Sequence, residues 1–245
     1  MVYGTLFPGY LKYEFFDGKT VTSTIIIRRT GLCDYEQCYQ AMIRMNQTRD
    51  AATPDEIWFL EHPPVFTQGQ AGRAEHILNS GAIPVMQSDR GGQVTYHGPG
   101  QLVCYLLLDL KRQGISIKAL VSHMEQALID MLGELGITAE RMPGAPGVYV
   151  GASKIAALGV RVRNGCCYHG LALNVCMDTE PFRRINPCGY PGLGVTQLRD
   201  QGIAMNTSQA ADALLPHLLH RLGYDGYNVV HACIPDQPRT VPLAS

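Results

Sequence analysis

The sequence lacks a surplus of either charge: 20 Lys+Arg face 21 Asp+Glu, for a formal net charge of −1. Binding nucleic acid by counterion release needs a basic excess, so the balance argues against that class. No apolar run approaches the ~20 residues of a membrane-spanning helix. The first residues, Met1 to Pro8, show no basic stretch leading into an apolar one, and the charges at Lys12, Glu14, Asp17 and Lys19 come soon after, so no secretory signal is read. There is no CxxC pair among the eight cysteines: Cys33 and Cys38 are five apart, and Cys166 and Cys167 are adjacent. A structural zinc site is therefore not expected. Without an oxidising context the cysteines read as thiols in a reducing cytoplasm, most of them small buried hydrophobes. The phosphate-loop pattern GxxxxGK[ST] and the dinucleotide pattern GxGxxG are both missing. So are internal repeats and low-complexity stretches.

What is present suits a globular fold. The 245 residues, 46% of them hydrophobic and 17% charged, supply the core of one large domain or two small ones. Residues 1–20 read as an N-terminal extension. A Thr/Ile/Val run predicts a strand over 20–29, and Asp34 a capped helix to about Arg49 with Cys38, Met42 and Met45 on one stripe. Ile57–Leu60 reads as a short strand stopped by Pro63-Pro64. Further strands are expected near Val85, at 93–97 and, buried on both faces, over 101–110. Three-and-four spacing from Ile117 to Leu135 marks the clearest helix, closed by Gly136. After a Pro/Gly-rich link at 143–147, residues 148–150, 154–163 and 166–175 read as antiparallel strands, with Asn164-Gly165 a hairpin turn. Thr207–Leu222 is the last helix despite Pro216, and from Gly226 the tail is extended. Strands mixed with a few helices indicate one α+β domain.

Four segments could carry chemistry. In Arg90-Gly91-Gly92-Gln93-Val94-Thr95-Tyr96-His97-Gly98-Pro99-Gly100-Gln101, glycines let backbone approach a ligand, and strand parity puts Gln93, Thr95 and His97 on one face. The alternative is a glycine-rich turn with a solvent-facing histidine. In the second segment, treating 154–163 as one unbroken strand sets Lys154 on the face of Ala156, Leu158, Val160 and Val162, with Arg161 and Arg163 opposite. A lysine desolvated there loses basicity and can act as a base near neutral pH; otherwise it snorkels to water. The third segment is Cys166 to Val175, with His169. The fourth is Ile185-Asn186-Pro187-Cys188-Gly189-Tyr190-Pro191-Gly192, where Cys188 sits in a loop rather than on an apolar stripe. A thiol of pKa ~8.5 needs a neighbouring base or cation to act as a nucleophile, and Lys154 or His169 could supply one. Most loop cysteines are inert, and that reading stays open from spacing alone.

Together and in this order, RGGQVTYHGPGQ, SKIAALGVRVRNG, HGLALNV and INPCGYPG closely resemble the lipoate-biosynthesis octanoyltransferases, the LipB family, over roughly residues 22–225. The resemblance implies the biotin and lipoate protein ligase fold, an α+β domain with a mixed sheet. The catalytic unit is then 21–225, with an extended tail over 226–245. It implies transfer of an octanoyl group from acyl carrier protein to a lysine of lipoyl domains of 2-oxoacid dehydrogenases or of the glycine-cleavage H protein. Cys188 would hold the acyl group as a thioester, and Lys154 would activate that thiol and then deprotonate the acceptor amine. The acyl-binding positions would be Arg90, Gly91, Gly92, Gln93, Val94, Thr95, Tyr96 and His97, then Ala157, Leu158 and Gly159, then Gly170, Leu171 and Ala172. His97 and His169 would donate hydrogen bonds near the carbonyl or the lysine. No cofactor or metal is implied. An acidic carrier protein would meet Arg161, Arg163, Arg183 and Arg184 around the entrance. The rivals are an ATP-dependent lipoate ligase on the same fold, which needs no cysteine, and a non-catalytic acyl-binding or lipoyl-domain-binding module. A papain-type thiol hydrolase lacks its local signature here.

Overall fold

A computed structural model of the protein describes residues 24–231. In chain order the strands and helices are β1 (Thr24–Leu32), α1 (Tyr35–Thr48), β2 (Glu56–Glu61), β3 (Val65–Gln68), β4 (Val85–Gln87), β5 (Val94–His97) and β6 (Gln101–Leu107). After these come α2 (Leu110–Gln113), α3 (Ile117–Glu134), β7 (Glu140–Met142), β8 (Ala145–Val150), β9 (Ser153–Arg163), β10 (Cys166–Asn174), α4 (Thr207–Leu222) and β11 (Gly226–Val230). Eight strands form one mixed sheet in the order β11-β1-β2-β6-β10-β9-β8-β7, parallel where β1 meets β11 and β2, and antiparallel from β2 onward. A small sheet, β4-β3-β5, stands apart from it.

Side-chain alternation divides the core. One face of the large sheet, with Ile25, Ile27, Ile57, Phe59, Leu102, Cys104 and Leu106, packs under the apolar stripes of α3 and α4. The opposite face, with Trp58, Leu60, Val103, Tyr105 and Tyr168, packs against Cys38, Ala41 and Met42 of α1. The small sheet closes a third cluster around Phe66, Val94, Tyr96 and Phe182. The helix ends obey local chemistry: Asp34 and Ser116 cap α1 and α3, and Asn206 and Gln209 form a reciprocal capping box on α4. Asn164 and Gly165 both take positive φ, as the tight hairpin turn between β9 and β10 requires.

Several expectations need correction. β3 and β7 were not foreseen: β3 comes directly after Pro63-Pro64, and β7 is a three-residue, exposed edge strand. Residues 226–230 are extended, as read, but they pair with β1 as a strand of the main sheet, so the folded unit runs past 225. The strand expected over 20–29 is observed from Thr24 to Leu32, and its first four residues, like the 1–20 extension and the end of the tail, lie outside the described residues.

Leu128, fully buried on α3, tests the main core. Leu128→Ala should lower the unfolding free energy by ~2–5 kcal/mol, read as a drop in urea midpoint with unchanged slope.

Candidate active site

On the face opposite α3 and α4, the large sheet, the small sheet and the start of α1 line an open-mouthed cavity. Its wall takes Arg90, Gly92, Gln93, Val94, Thr95 and His97 from the glycine-rich loop and β5. From β9 come Ala157, Leu158 and Gly159, and from β10 His169, Gly170 and Leu171. Three expected residues are not on that wall. Gly91 is turned against β9, its N–H donating to the Val160 carbonyl at 3.1 Å. Tyr96 points to the other face of β5, onto Phe66 and Phe182, as alternation requires. Ala172 packs in the α1 cluster. Tyr35, Val103 and Tyr105 also line the cavity and were not foreseen. They lie on remote elements and read in sequence as ordinary core residues.

The loop is held by its own arginine. Arg90 is buried, and its guanidinium donates to the carbonyls of Thr67 (2.6 Å), Gly91 (2.9 Å) and Gln93 (2.8 Å) and to Thr67 Oγ1. Gly159 permits the loop's approach: a Cβ there would come within 2.9 Å of the Gly91 carbonyl oxygen. His97 is buried rather than solvent-facing. Its Nδ1–H donates to Gln101 Oε1 at 2.7 Å, and Thr67 Oγ1 lies 3.4 Å from its Nε2.

His169 reaches the cavity through an irregular backbone. Regular alternation would send it to the face of Cys167 and Leu171, toward the helices. Instead it adopts φ +61°, and its ring stacks on Tyr39 and lies beside Tyr105 and Tyr168. Its Nε2–H donates to Asp89 at 3.0 Å. Burial pushes the Asp89 carboxyl up, but bonds from His169 and Tyr168 outweigh this and hold it below the usual range. Burial lowers the pKa of both His97 and His169, so both are neutral near pH 7. Each has committed its one ring proton to a protein acceptor, so the expected donation to a substrate carbonyl is not available from either.

Lys154 is buried, but the strand leading to it is not unbroken. The β8–β9 register passes from Val148↔Ala156 to Tyr149↔Lys154, which leaves Ile155 as an extra residue in the helix-side core. Beyond that shift Lys154 shares a face with Tyr149, with its Nζ 5.1 Å from the Tyr149 ring centre and donating to the Pro146 carbonyl at 3.2 Å. Glu125, set in the apolar stripe of α3, accepts from the Gly147 N–H at 3.1 Å and from Arg141, and so steadies that carbonyl's turn. Segment 194–196 pairs with the backbone at Lys154: Lys154 N–H donates to the Gly194 carbonyl (2.8 Å), and Thr196 N–H donates to the Lys154 carbonyl (3.0 Å). The same stretch of chain carries Cys188 in a short 3₁₀ turn, Pro187–Gly189. A Cβ on Gly189 would lie 3.4 Å from both Gln93 Cγ and His76 Nε2. The loop thus runs from the rim of the cavity at Gln93 to the backbone of Lys154.

Of the expected docking arginines, Arg161 donates to Gln70 and lies 3.9 Å from Asp89, and Arg184 is paired with Glu180; Arg163 and Arg183 are exposed. Two of the four are therefore locally balanced by acceptors and do not form an even ring. The six described thiols are unlinked, and burial raises Cys104 and pushes Cys167 up to about 12, as expected of packing groups. Cys33 departs from that expectation: a hydrogen bond with Cys38 holds it down at about 6. Among the described residues no cluster of three His, Cys, Asp or Glu side chains could hold a metal ion.

The lipoyl protein ligase A/B catalytic domain model matches residues 34–219. The octanoyltransferase of Stutzerimonas stutzeri (strain A1501) is 60% identical over 204 residues, covering 83% of this chain and 93% of that protein. That of Dechloromonas aromatica (strain RCB) is 58% identical over 197 residues, covering 80% and 96%. Among solved structures, a lipoate-protein ligase A bound with ATP aligns with a TM-score of 0.69 at 15% identity, over 85% of this chain and 89% of that one. The biotin protein ligase from Aquifex aeolicus in complex with biotin and ATP gives 0.53 at 13%, over 81% and 70%. At these identities the structures share the fold.

Burial lowers His62 to about 4 and His97 to about 3 from the ordinary 6.5. Below pH 6.5 the unfolded chain binds protons that the native state refuses, so stability is full above 6.5 and falls as pH drops toward 4. Urea unfolding should show a loss of ~2–3 kcal/mol per histidine by pH 4.5. A His97→Asn variant should flatten the slope; an unchanged slope would contradict the assignment.

Proposed function

The chain belongs to the lipoyl protein ligase A/B catalytic-domain family, and we propose that it is an octanoyltransferase working through a covalent acyl-enzyme. The activity rests on identities of 56–60% to octanoyltransferases over most of both chains. The ATP-dependent lipoate ligase reading is not favoured, since the ligases share only the fold. The donor is octanoyl-acyl carrier protein. The acceptor is a lysine of lipoyl domains of 2-oxoacid dehydrogenases or of the glycine-cleavage H protein. No helix of the described residues is long and apolar enough to cross a membrane, which suits a cytoplasmic reaction between carrier proteins.

One observation supports the roles of Cys188 and Lys154: segment 194–196, on the loop that carries Cys188, is hydrogen-bonded on both sides of the Lys154 peptide. In the first half-reaction Lys154 takes the Cys188 proton, and the thiolate attacks the donor thioester carbonyl. The carrier thiolate leaves with that proton. In the second, the acceptor ammonium first gives one proton to solvent; the free amine then attacks the Cys188 thioester, and Lys154 takes the second proton from that nitrogen. The amide forms, and the proton returns to the Cys188 sulfur. One thioester is exchanged for another and then for a more stable amide, so no nucleotide is consumed. The octanoyl chain occupies the cavity, against Val103, Ala157, Leu158 and Leu171. The neutral histidines brace its walls.

Cys188→Ala should give no octanoylated enzyme by intact-mass spectrometry, and Lys154→Ala should slow acyl-enzyme formation by ~100-fold or more. A Cys188→Ala protein that still gains one octanoyl group would overturn the nucleophile. Exposed Arg163 and Arg183 face an acidic donor in this reading, so Arg163→Glu/Arg183→Glu should raise the KM for octanoyl carrier protein and weaken its salt dependence. A KM indifferent to salt in the native enzyme would refute that role.

A further inference from the structure

Behind the cavity wall a chain of buried side-chain amides joins His97 to Lys154. Gln101 Nε2 donates to the Tyr96 carbonyl at 3.2 Å and to Asn174 Oδ1 at 2.9 Å. A carbonyl can only accept, so Tyr96 dictates which way the Gln101 amide points. Its Oε1 is left facing His97, whose Nδ1 must therefore carry the ring proton. At the other end Asn174 Nδ2 donates to the Thr196 carbonyl at 3.0 Å, which turns Asn174 Oδ1 toward Gln101. Thr196 N–H then holds the Lys154 carbonyl. Gln101, Asn174, Thr196, His97 and Lys154 are all buried, and every polar atom of the two amides has a partner.

Two apolar side chains of similar size would fill this space without the cost of desolvating two carboxamides. What apolar residues would not do is fix the clamp of 194–196 on the start of β9. We propose that Gln101 and Asn174 are positioning residues that set the register of segment 194–196, and with it the place of Lys154 relative to the bound acyl chain. The inference rests on Lys154 acting in the transfer. The signature of such a role is a loss of maximal rate at nearly constant donor affinity, because the acyl cavity keeps its walls while the base is misplaced.

The test measures acyl-enzyme formation by the full-length protein from octanoyl carrier protein over a range of donor concentrations. It compares native enzyme with Asn174→Leu, Gln101→Leu and Lys154→Ala, each first checked for cooperative melting. Asn174→Leu should cut the maximal rate by ~10- to 100-fold while half-saturation moves by less than ~3-fold. Nitrogen-15 NMR should report His97 protonated at Nδ1 in the native protein and in Asn174→Leu, and the preference should be lost in Gln101→Leu. A folded Asn174→Leu or Gln101→Leu enzyme with the native maximal rate overturns the inference while leaving the dyad intact. A native rate in Lys154→Ala overturns the dyad and the inference with it. Should neither leucine variant melt cooperatively, the native spectrum still decides, because His97 protonated at Nε2 contradicts the amide chain.

Discussion

The site depends on one backbone constraint, the two-sided grip of Gly194 and Thr196 on the peptide of Lys154. Lys154 enters the domain near the start of a long strand, where its side chain could reach water. The register shift at Ile155 turns it to the face of Tyr149, and segment 194–196 pairs with its backbone. That grip also fixes where the preceding residues can run. The loop carrying Cys188 has to span from Gly194 back to the turn beside Gln93. Lys154 and the loop that carries Cys188, 34 positions on in the sequence, are thereby tied together through the backbone.

Around that constraint the cavity works mainly by shape and desolvation. The surface that β9 and β10 supply is mostly glycine and aliphatic side chain. The polar groups behind it are spent on each other: Arg90 on three carbonyls, His97 on Gln101, His169 on Asp89. A wall so braced suits an apolar chain. The unusual φ of His169 belongs to the same design, since it trades a strained backbone for an imidazole on the cavity side.

The parts legible in the sequence were those set by local rules. α3 and α4 arise from the spacing of their leucines, and the Asn164-Gly165 turn and the Asp34 cap from single residues. The glycine-rich loop, Ala157–Gly159 and the His169 segment, picked out through family resemblance, converge on one cavity. Gly91, Tyr96 and Ala172 were assigned to the wall too readily, because a motif does not say which way a strand residue points. β3 and β7 escaped because they are four and three residues long, and β11 because only pairing with β1 distinguishes it from a tail. The face of Lys154 was misread because one extra residue in a ladder inverts parity without any compositional sign. Tyr35, Thr67, Gln101 and Asn174 escaped for a different reason: their roles exist only once four separate elements are folded together.

The central claim is that the octanoyl group passes through Cys188 on its way to the acceptor lysine. The most direct measurement incubates the enzyme with octanoyl carrier protein, removes the donor, maps the modified peptide, and then adds an apo lipoyl domain. One octanoyl group is expected on the peptide containing Cys188, transferred quantitatively to the lipoyl domain without nucleotide. An enzyme that stays unmodified while transfer proceeds, or that carries the group on another cysteine, would contradict it.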